Sequence, residues 1–119
     1  MKAHDIRVEL PEGAGVVTLV GEHDAFGAET LKRELDRLLE SGRPIVIDLG
    51  EATFIDSSTV GVLLTAFRRV EAAGLSLGLV LPTSAGPYVR RLIETAKLDT
   101  VFPIHDSIAA ALEAATRHH

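Results

Sequence analysis

The stretch Asp48-Leu-Gly-Glu-Ala-Thr-Phe-Ile-Asp-Ser-Ser-Thr-Val-Gly61 decides the fold, because one element ends in it and another begins. Residues 45–49 form a short apolar run closed by Gly50, which predicts an interior parallel strand. Apolar residues then recur at helical spacing and predict a helix over 57–73: Val60, Leu63, Leu64, Phe67 and Val70. The unit therefore brings Asp56 and Ser57 to the start of a helix.

Ser57 and the serine after it lie where a helix offers free backbone N–H groups and the positive end of its dipole. Ser57 is therefore either a helix cap or an anion site. A phosphoacceptor fits this position, because the dipole tolerates the nearly two negative charges of a phosphate. Asp56 is adjacent, and Glu22 and Asp24 follow a neighbouring predicted strand. Phosphate added among these carboxylates would repel or block a docked protein, which predicts a switch.

Composition narrows the function classes. A chain of 119 residues with 46% hydrophobic and 24% charged residues is typical of one globular domain. The absence of cysteine excludes disulfides and thiolate chemistry. The net charge of −5 and the dispersed basic residues argue against nucleic-acid binding. No apolar run is long enough to span a bilayer and no signal peptide is apparent, so we expect a cytoplasmic protein without a membrane partner.

The remaining chain alternates strands and helices in the order ββαβαβαβα. Residues 6–10 and 16–20 predict an opening antiparallel pair, and two more strands are expected at 75–81 and 101–104. The first helix carries one apolar stripe: Ala28, Leu31, Leu35, Leu38 and Leu39. The third helix begins at Gly86-Pro87 and turns four side chains inward: Val89, Leu92, Ile93 and Ala96. Asp106-Ser107 caps a fourth helix that reaches about residue 115. The fold class is therefore α/β, with a mixed, mostly parallel sheet of about five strands and four helices.

Catalysis by Ser57 would need a base and an oxyanion hole. The chain has Ile-Asp-Ser-Ser-Thr where a serine hydrolase usually has Gly-x-Ser-x-Gly. Only His23 and His105 lie in segments that could approach Ser57, and histidines without a role are commoner. His118 and His119 read as a tag remnant. A small serine hydrolase is therefore the least favoured alternative.

Nucleotide and metal sites are weakly indicated. No glycine-rich phosphate-binding motif follows a predicted strand. Glu22, Asp24, Glu51 and Asp56 lie in two loops expected at adjacent strand ends and could hold Mg²⁺. The alternative, which we favour, is that Asp24 caps the first helix and the other carboxylates are solvated. The sequence predicts no metal site and no cofactor.

The second helix offers a docking surface. Its outward face, opposite the apolar stripe, carries a mixed set of side chains: Ser58, Val62, Thr65, Arg69 and Ala72. A small apolar and polar patch beside Ser57 suits a reversible protein contact.

These residues carry a family resemblance across nearly the whole chain. Gly21-Glu-His-Asp24, Phe54-Ile-Asp-Ser-Ser58 and Val60-Gly-Val-Leu-Leu64 resemble the corresponding segments of STAS domains, specifically free-standing bacterial anti-sigma factor antagonists. The resemblance implies a single STAS domain over residues 1–119, with the last two or three residues disordered or left from a tag. It also implies that Ser57, directly after Asp56, is the phosphorylated serine.

The resemblance implies a partner-switching function without catalysis. The unphosphorylated protein would bind an anti-sigma factor that is an ATP-dependent serine kinase, and a sigma factor would be released. Phosphorylation would end the contact, and a metal-dependent serine phosphatase would reset it. Asp24 and Asp56 would shape the docking surface, with the domain a monomer or weak dimer. The alternative is a STAS scaffold or ligand-sensing subunit of another assembly, such as a lipid-transport complex, that is not phosphorylated.

One residue departs from the family pattern. Thr59 stands where these proteins usually have glycine after the two serines. It adds a β-branched side chain and a third hydroxyl to the first helical turn. Ser58 and Thr59 are therefore competing minor phosphoacceptors, and Thr59 is expected to narrow the range of partners or slow phosphorylation.

Overall fold

The computed structural model describes residues 4–11 and 13–116, which form one five-stranded sheet with helices packed against it. The strands, in spatial as well as chain order, are β1 (His4–Glu9), β2 (Gly15–His23), β3 (Ile45–Ile55), β4 (Leu77–Val80) and β5 (Ile104–His105). The helices are α1 (Ala25–Glu40), α2 (Ser57–Ala72), α3 (Pro87–Thr95) and α4 (Ile108–Thr116), with a 3₁₀ turn at Leu98–Thr100. β1 pairs antiparallel with β2, and the remaining pairs are parallel. The predicted order ββαβαβαβα and the mixed sheet are confirmed.

Two apolar clusters hold the elements together. The larger contains buried side chains from α1, α2 and α3 together with one set of strand residues, and the smaller joins α4 to Val16, Val46 and Val80. Along β2, β3 and β4 the two sets alternate, as a period of two requires in strands covered on both faces. Each of α1, α2 and α3 follows a parallel strand, so all three helices begin at the same end of the sheet.

The third strand is longer than the sequence predicts. Its expected end at Gly50 is wrong, because pairing with β2 continues to Ile55. The backbone N–H of Gly50 donates to the Asp48 carboxylate at 2.9 Å, and the register with β2 shifts between Asp48 and Glu51 and again between Ala52 and Phe54. A bulge of this kind absorbs extra residues and lets the ladder resume. The extension places Phe54 and Ile55 inside the strand, directly before the helix.

Differences also occur toward the carboxyl terminus. β4 is shorter than the predicted 75–81, and the strand expected at 101–104 is found at Ile104–His105. Lys97 adopts a left-handed φ of 58°, which ends α3, and a 3₁₀ turn at Leu98–Thr100 follows before β5. Ala96, predicted to point inward, is therefore exposed. Ser107 caps α4 as predicted, since its hydroxyl accepts from the Ala110 N–H at 3.0 Å.

Within residues 4–11 and 13–116, none of the helices combines the length and the apolar character that crossing a bilayer would require. His118 and His119, which the sequence assigns to a tag remnant, lie outside the described residues.

Candidate functional site

The starts of α1 and α2 lie side by side at one end of the sheet. His23 pairs with Ile55 across β2 and β3, and the Asp56 N–H donates to the His23 carbonyl at 3.1 Å. Asp24 and Asp56, the next residues, are the N-caps of the two helices, with extended backbones. The predicted cap at Asp24 is confirmed. The alternative that Ser57 is a cap is wrong, because Asp56 fills that position.

Each carboxylate satisfies backbone donors that the first helical turn leaves free. The Asp24 carboxylate accepts from the N–H groups of Phe26 at 3.1 Å and Gly27 at 3.4 Å. The Asp56 carboxylate accepts from the Thr59 N–H at 3.0 Å. Both carboxylates therefore bind backbone at a helix start, where the dipole also favours negative charge.

Ser57 is the first residue of α2, and its side chain is exposed, as is that of Ser58. In the described part of the chain its hydroxyl makes no hydrogen bond, because the adjacent Asp56 already performs the capping. The Ser57 hydroxyl is therefore available to another molecule at the helix N-terminus.

Thr59 lies beneath the two serines and is fully buried. Its hydroxyl lies 3.3 Å from the His23 carbonyl and 3.3 Å from the Asp56 carboxylate, so it ties the start of α2 to the end of β2. The Thr59 side chain therefore points into the protein and adds no exposed surface at the start of α2. Thr59 as a minor phosphoacceptor stays a prediction, and its burial weighs against it.

Four of the predicted docking residues line a groove between α1 and α2, which we call the α1–α2 groove. It encloses about 330 Å³ and is lined by Lys32, Leu35, Asp36, Ser58, Gly61, Val62, Thr65, Ala66 and Arg69. Ala72, from the same predicted face, is exposed beyond its end, and Glu22 is exposed on β2. The sequence identified the α2 side of the groove. It missed the α1 side, for which the only signal was the Lys32 and Asp36 pair four residues apart.

A charge network crosses the α1–α2 groove. Arg69 of α2 donates to the Asp36 carboxylate of α1, and Lys32 donates to the same carboxylate at 3.1 Å. These hydrogen bonds, from Arg69 first and then Lys32, hold the pKa of the Asp36 carboxyl below its usual value. Through Arg69 and Asp36 the network links the two helices across the groove.

Three aromatic side chains occur near the helix starts, and the sequence analysis connected only Phe54 with the site. Phe26, in the first turn of α1, is 83% exposed. Phe54, near the end of β3, stacks on Tyr88 in the first turn of α3, with ring centroids 5.3 Å apart. The available signal was that Phe26 falls outside the apolar stripe of α1.

The structure offers little support for metal binding or hydrolysis at this end. Among the described side chains, no three carboxylates or imidazoles converge on a common point. Glu51 instead pairs with Arg7 at 3.5 Å. The His23 ring is buried, with its Nε2 atom 3.0 Å from the Val20 carbonyl. The His105 ring lies against Gly78 on β4, so neither ring is hydrogen-bonded to Ser57.

Comparisons with known proteins agree with this architecture. The sequence profile of the STAS domain matches residues 5–111. The chain is 28% identical over 109 residues to the anti-sigma F factor antagonist of Paenibacillus polymyxa, which covers 90% of this chain and 91% of that protein.

Two solved structures show the same fold. An anti-sigma factor antagonist from Mycobacterium paratuberculosis has a TM-score of 0.82 at 28% identity, over 96% of this chain and 95% of that one. The Bacillus cell fate determinant SpoIIAA in its phosphorylated form has a TM-score of 0.69 at 21% identity, over 92% of this chain and 98% of that one. The match of the family profile to almost the whole chain and the shared architecture lead to one conclusion: this chain belongs to the STAS domain family.

Proposed function

We propose that this protein is an anti-sigma factor antagonist whose binding is switched by phosphorylation of Ser57. The unphosphorylated form binds an anti-sigma factor that is itself a serine kinase, so that a sigma factor is released. The observation that carries the proposal is the exposed Ser57 hydroxyl at the start of α2, with capping already supplied by Asp56. The names of the similar antagonists support the partner class.

The geometry accounts for both states of such a switch. In the transfer, the Ser57 oxygen bonds to the γ-phosphorus of ATP, ADP leaves, and the hydroxyl proton passes to a base on the kinase. Phosphoserine at this position lies at the positive end of the α2 dipole, so the fold tolerates it. It also lies beside the carboxylates of Asp24 and Asp56 and would face the phosphates of the bound nucleotide. Repulsion and added bulk at this point separate the two proteins.

The docking surface extends from this end of the sheet along α2. At the strand ends the surface consists of Glu22, Asp24 and Asp56. Along the α1–α2 groove it consists of Ser58, Val62, Thr65 and Arg69. Val62 is half-buried in the groove and packs against the core, so replacement by a charged residue should impair binding, and circular dichroism checks that the variant stays folded. In this proposal the protein acts in the bacterial cytoplasm, has no catalytic activity of its own, and is reset by a metal-dependent serine phosphatase.

The test is phosphorylation of the purified protein by the anti-sigma factor kinase of its native host, with ATP present and the modified residue located by mass spectrometry. Ser57→Ala should abolish incorporation and still bind the kinase. Ser58→Ala is the matched control and should still be phosphorylated. Phosphate on Ser58 alone, or equal binding by the phosphorylated and unphosphorylated proteins, would contradict the proposal.

A further inference from the structure

The exposed large hydrophobic side chains divide between the two ends of the sheet. Among the described residues, four are exposed: Leu10 at 55%, Phe26 at 83%, Tyr88 at 48% and Val101 at 41%. The two aromatic residues lie in first turns of α1 and α3, at the end that carries Ser57. The two aliphatic residues lie in the connections at the opposite end, after β1 and before β5.

Phe26 differs from the other aromatic residues. The Tyr88 ring is stacked on Phe54, and Phe67 packs edge to face on Phe102 with ring centroids 5.0 Å apart. Phe26 makes no ring contact within the described part of the chain, and its ring is the most exposed of the large apolar side chains there. A ring in water gives no stability to the fold, whereas burying it in a partner removes a large apolar area from water.

The backbone around Phe26 is well fixed. Its N–H donates to the Asp24 carboxylate at 3.1 Å, so it belongs to the capped first turn. Asp24 follows His23, which pairs with Ile55 directly before the second cap and Ser57. Phe26 therefore lies in a capped helix start that follows β2. Ser57 lies at the helix start that follows the neighbouring strand, β3.

We propose that Phe26 is the apolar anchor through which this protein holds its anti-sigma factor, inserting into an apolar pocket beside the kinase's nucleotide site. This inference rests on the proposed function and adds a residue outside α2 to its docking surface. Continuity with that surface identifies the occupant, because a protein that reaches Ser57 also passes over the adjacent start of α1. The Asp24 and Asp56 carboxylates already accept backbone N–H groups at the helix starts, so the exposed Phe26 ring is the apolar group beside them that a partner can bury. Aromatic side chains, phenylalanine among them, are enriched in protein interfaces relative to the rest of the surface.

The proposal separates two roles at neighbouring helix starts. Phe26 supplies affinity in the unphosphorylated state, and Ser57 determines whether that affinity can be used. Since Phe26 contributes equally to the ground and transition states of phosphoryl transfer, its loss raises KM and leaves kcat unchanged.

The test measures binding of the purified native-host anti-sigma factor kinase, loaded with ADP, by calorimetry. Phe26→Ala should weaken binding at least about tenfold, equivalent to about 1.4 kcal/mol. Phe26→Leu keeps an apolar side chain and should stay within about threefold of the wild type. Leu10→Ala removes an exposed side chain at the opposite end and is the matched control, with no change expected. Phosphorylation kinetics on the same variants should show the change in KM alone.

Each outcome has one meaning. If the wild-type protein and Phe26→Ala bind the kinase equally well, Phe26 is not the anchor, and the proposed function is unaffected. If the wild-type protein does not bind the kinase, the proposed function is wrong, and so is the assignment of the kinase as the partner of Phe26. Self-association that Phe26→Ala abolishes, with kinase binding unchanged, assigns the ring to a second copy of this chain and also overturns the proposal. The Phe26 side chain is too exposed for its truncation to unfold the domain, which circular dichroism checks.

Discussion

The two neighbouring strand–helix junctions use the same backbone device for different purposes. In the first, Asp24 caps α1 and is followed by Ala25, Phe26 and Gly27. In the second, Asp56 caps α2 and is followed by Ser57, Ser58 and Thr59. Both aspartates have extended backbones and bind N–H groups of the first turn.

The difference lies in the three residues after each cap. The first junction presents an aromatic ring to solvent, and the second presents two hydroxyls above a buried one. At the third position the first junction has Gly27, with no side chain, whereas Thr59 ties the second junction to β2. One cap geometry therefore supports an apolar surface in one place and a modifiable surface in the other, because the cap binds backbone and leaves the outward side chains free to differ.

The largest expected effect distinguishes the first residues of the two helices. Ser57→Asp places a charge where phosphorylation would, and should weaken kinase binding at least about tenfold. Ala25→Asp places the same charge at the equivalent position of α1, beside Phe26, and should weaken binding less than Ser57→Asp does. Both variants should keep their stability within about 1 kcal/mol, because a carboxylate is favourable at a helix start. Equal losses of affinity at the two positions, measured by calorimetry, would show that the junctions are not functionally distinct.

Removing the caps tests whether the junctions share one physical device. Asp24→Ala and Asp56→Ala should each lower the free energy of unfolding by about 0.5–2 kcal/mol, since each leaves N–H groups of a first turn without an acceptor. Asp24→Asn and Asp56→Asn retain a capping oxygen and are the controls, with changes of only a few tenths expected. Urea denaturation gives the values. A loss at one junction alone would break the parallel between them.

The third residue after the cap tests a feature of the second junction alone, the buried hydroxyl of Thr59. Thr59→Val keeps the buried shape and removes the hydroxyl that bonds the His23 carbonyl and the Asp56 carboxylate. We expect a loss of about 1 kcal/mol in unfolding free energy. Thr59→Ser should recover most of it.

The matched control for that substitution is Thr65→Val on the exposed side of α2, which should change the unfolding free energy by less than about 0.5 kcal/mol. If Thr59→Val is as stable as the wild type, the hydroxyl tie between the junctions has no energetic role.

The smallest expected effect concerns a carboxylate outside both junctions. Asp36→Asn breaks the pairing of α1 with Arg69 and should lower the unfolding free energy at pH 7 by less than about 1 kcal/mol, because the groups are near the surface. Since the folded-state pKa of Asp36 lies below its unfolded value, its contribution is complete above the ordinary carboxyl range and is lost as the pH falls through the folded pKa.

The difference between wild type and Asp36→Asn should therefore shrink on acidification. Denaturation at several pH values, repeated in high salt, checks this. A difference that grows toward low pH would contradict the assigned pairing.

Local patterns predicted most of the fold correctly. The apolar run at 45–49, the helical spacing after Ser57 and the proline at the start of α3 each encode an element within a short segment. Element ends were predicted less well. β3 continues past Gly50 because of how it pairs with β2, and α3 ends where Lys97 turns left-handed, and neither event has a strong signal in its own segment.

The candidate site divides in the same way. The sequence placed Asp56 and Ser57 at a helix start, yet it could not tell a capping serine from a capping aspartate, because either residue type serves as a cap. Thr59 was expected to narrow the range of partners or slow phosphorylation, and its burial emerges only when β2 lies beside it. The position of Phe26 outside the apolar stripe of α1 indicated that its ring is exposed, but the sequence could not show that the ring lies at the same end of the sheet as Ser57.

The sequence by itself determined the order of elements, the STAS family and the residue types at the two junctions, because periodicity, caps and motifs are properties of neighbouring residues. The tertiary structure decided which junction residues face outward, which α1 side chains complete the α1–α2 groove, and that Asp24 and Asp56 stand side by side. Those features depend on strand register and helix packing between segments about thirty residues apart, where burial is shared and no single segment encodes it.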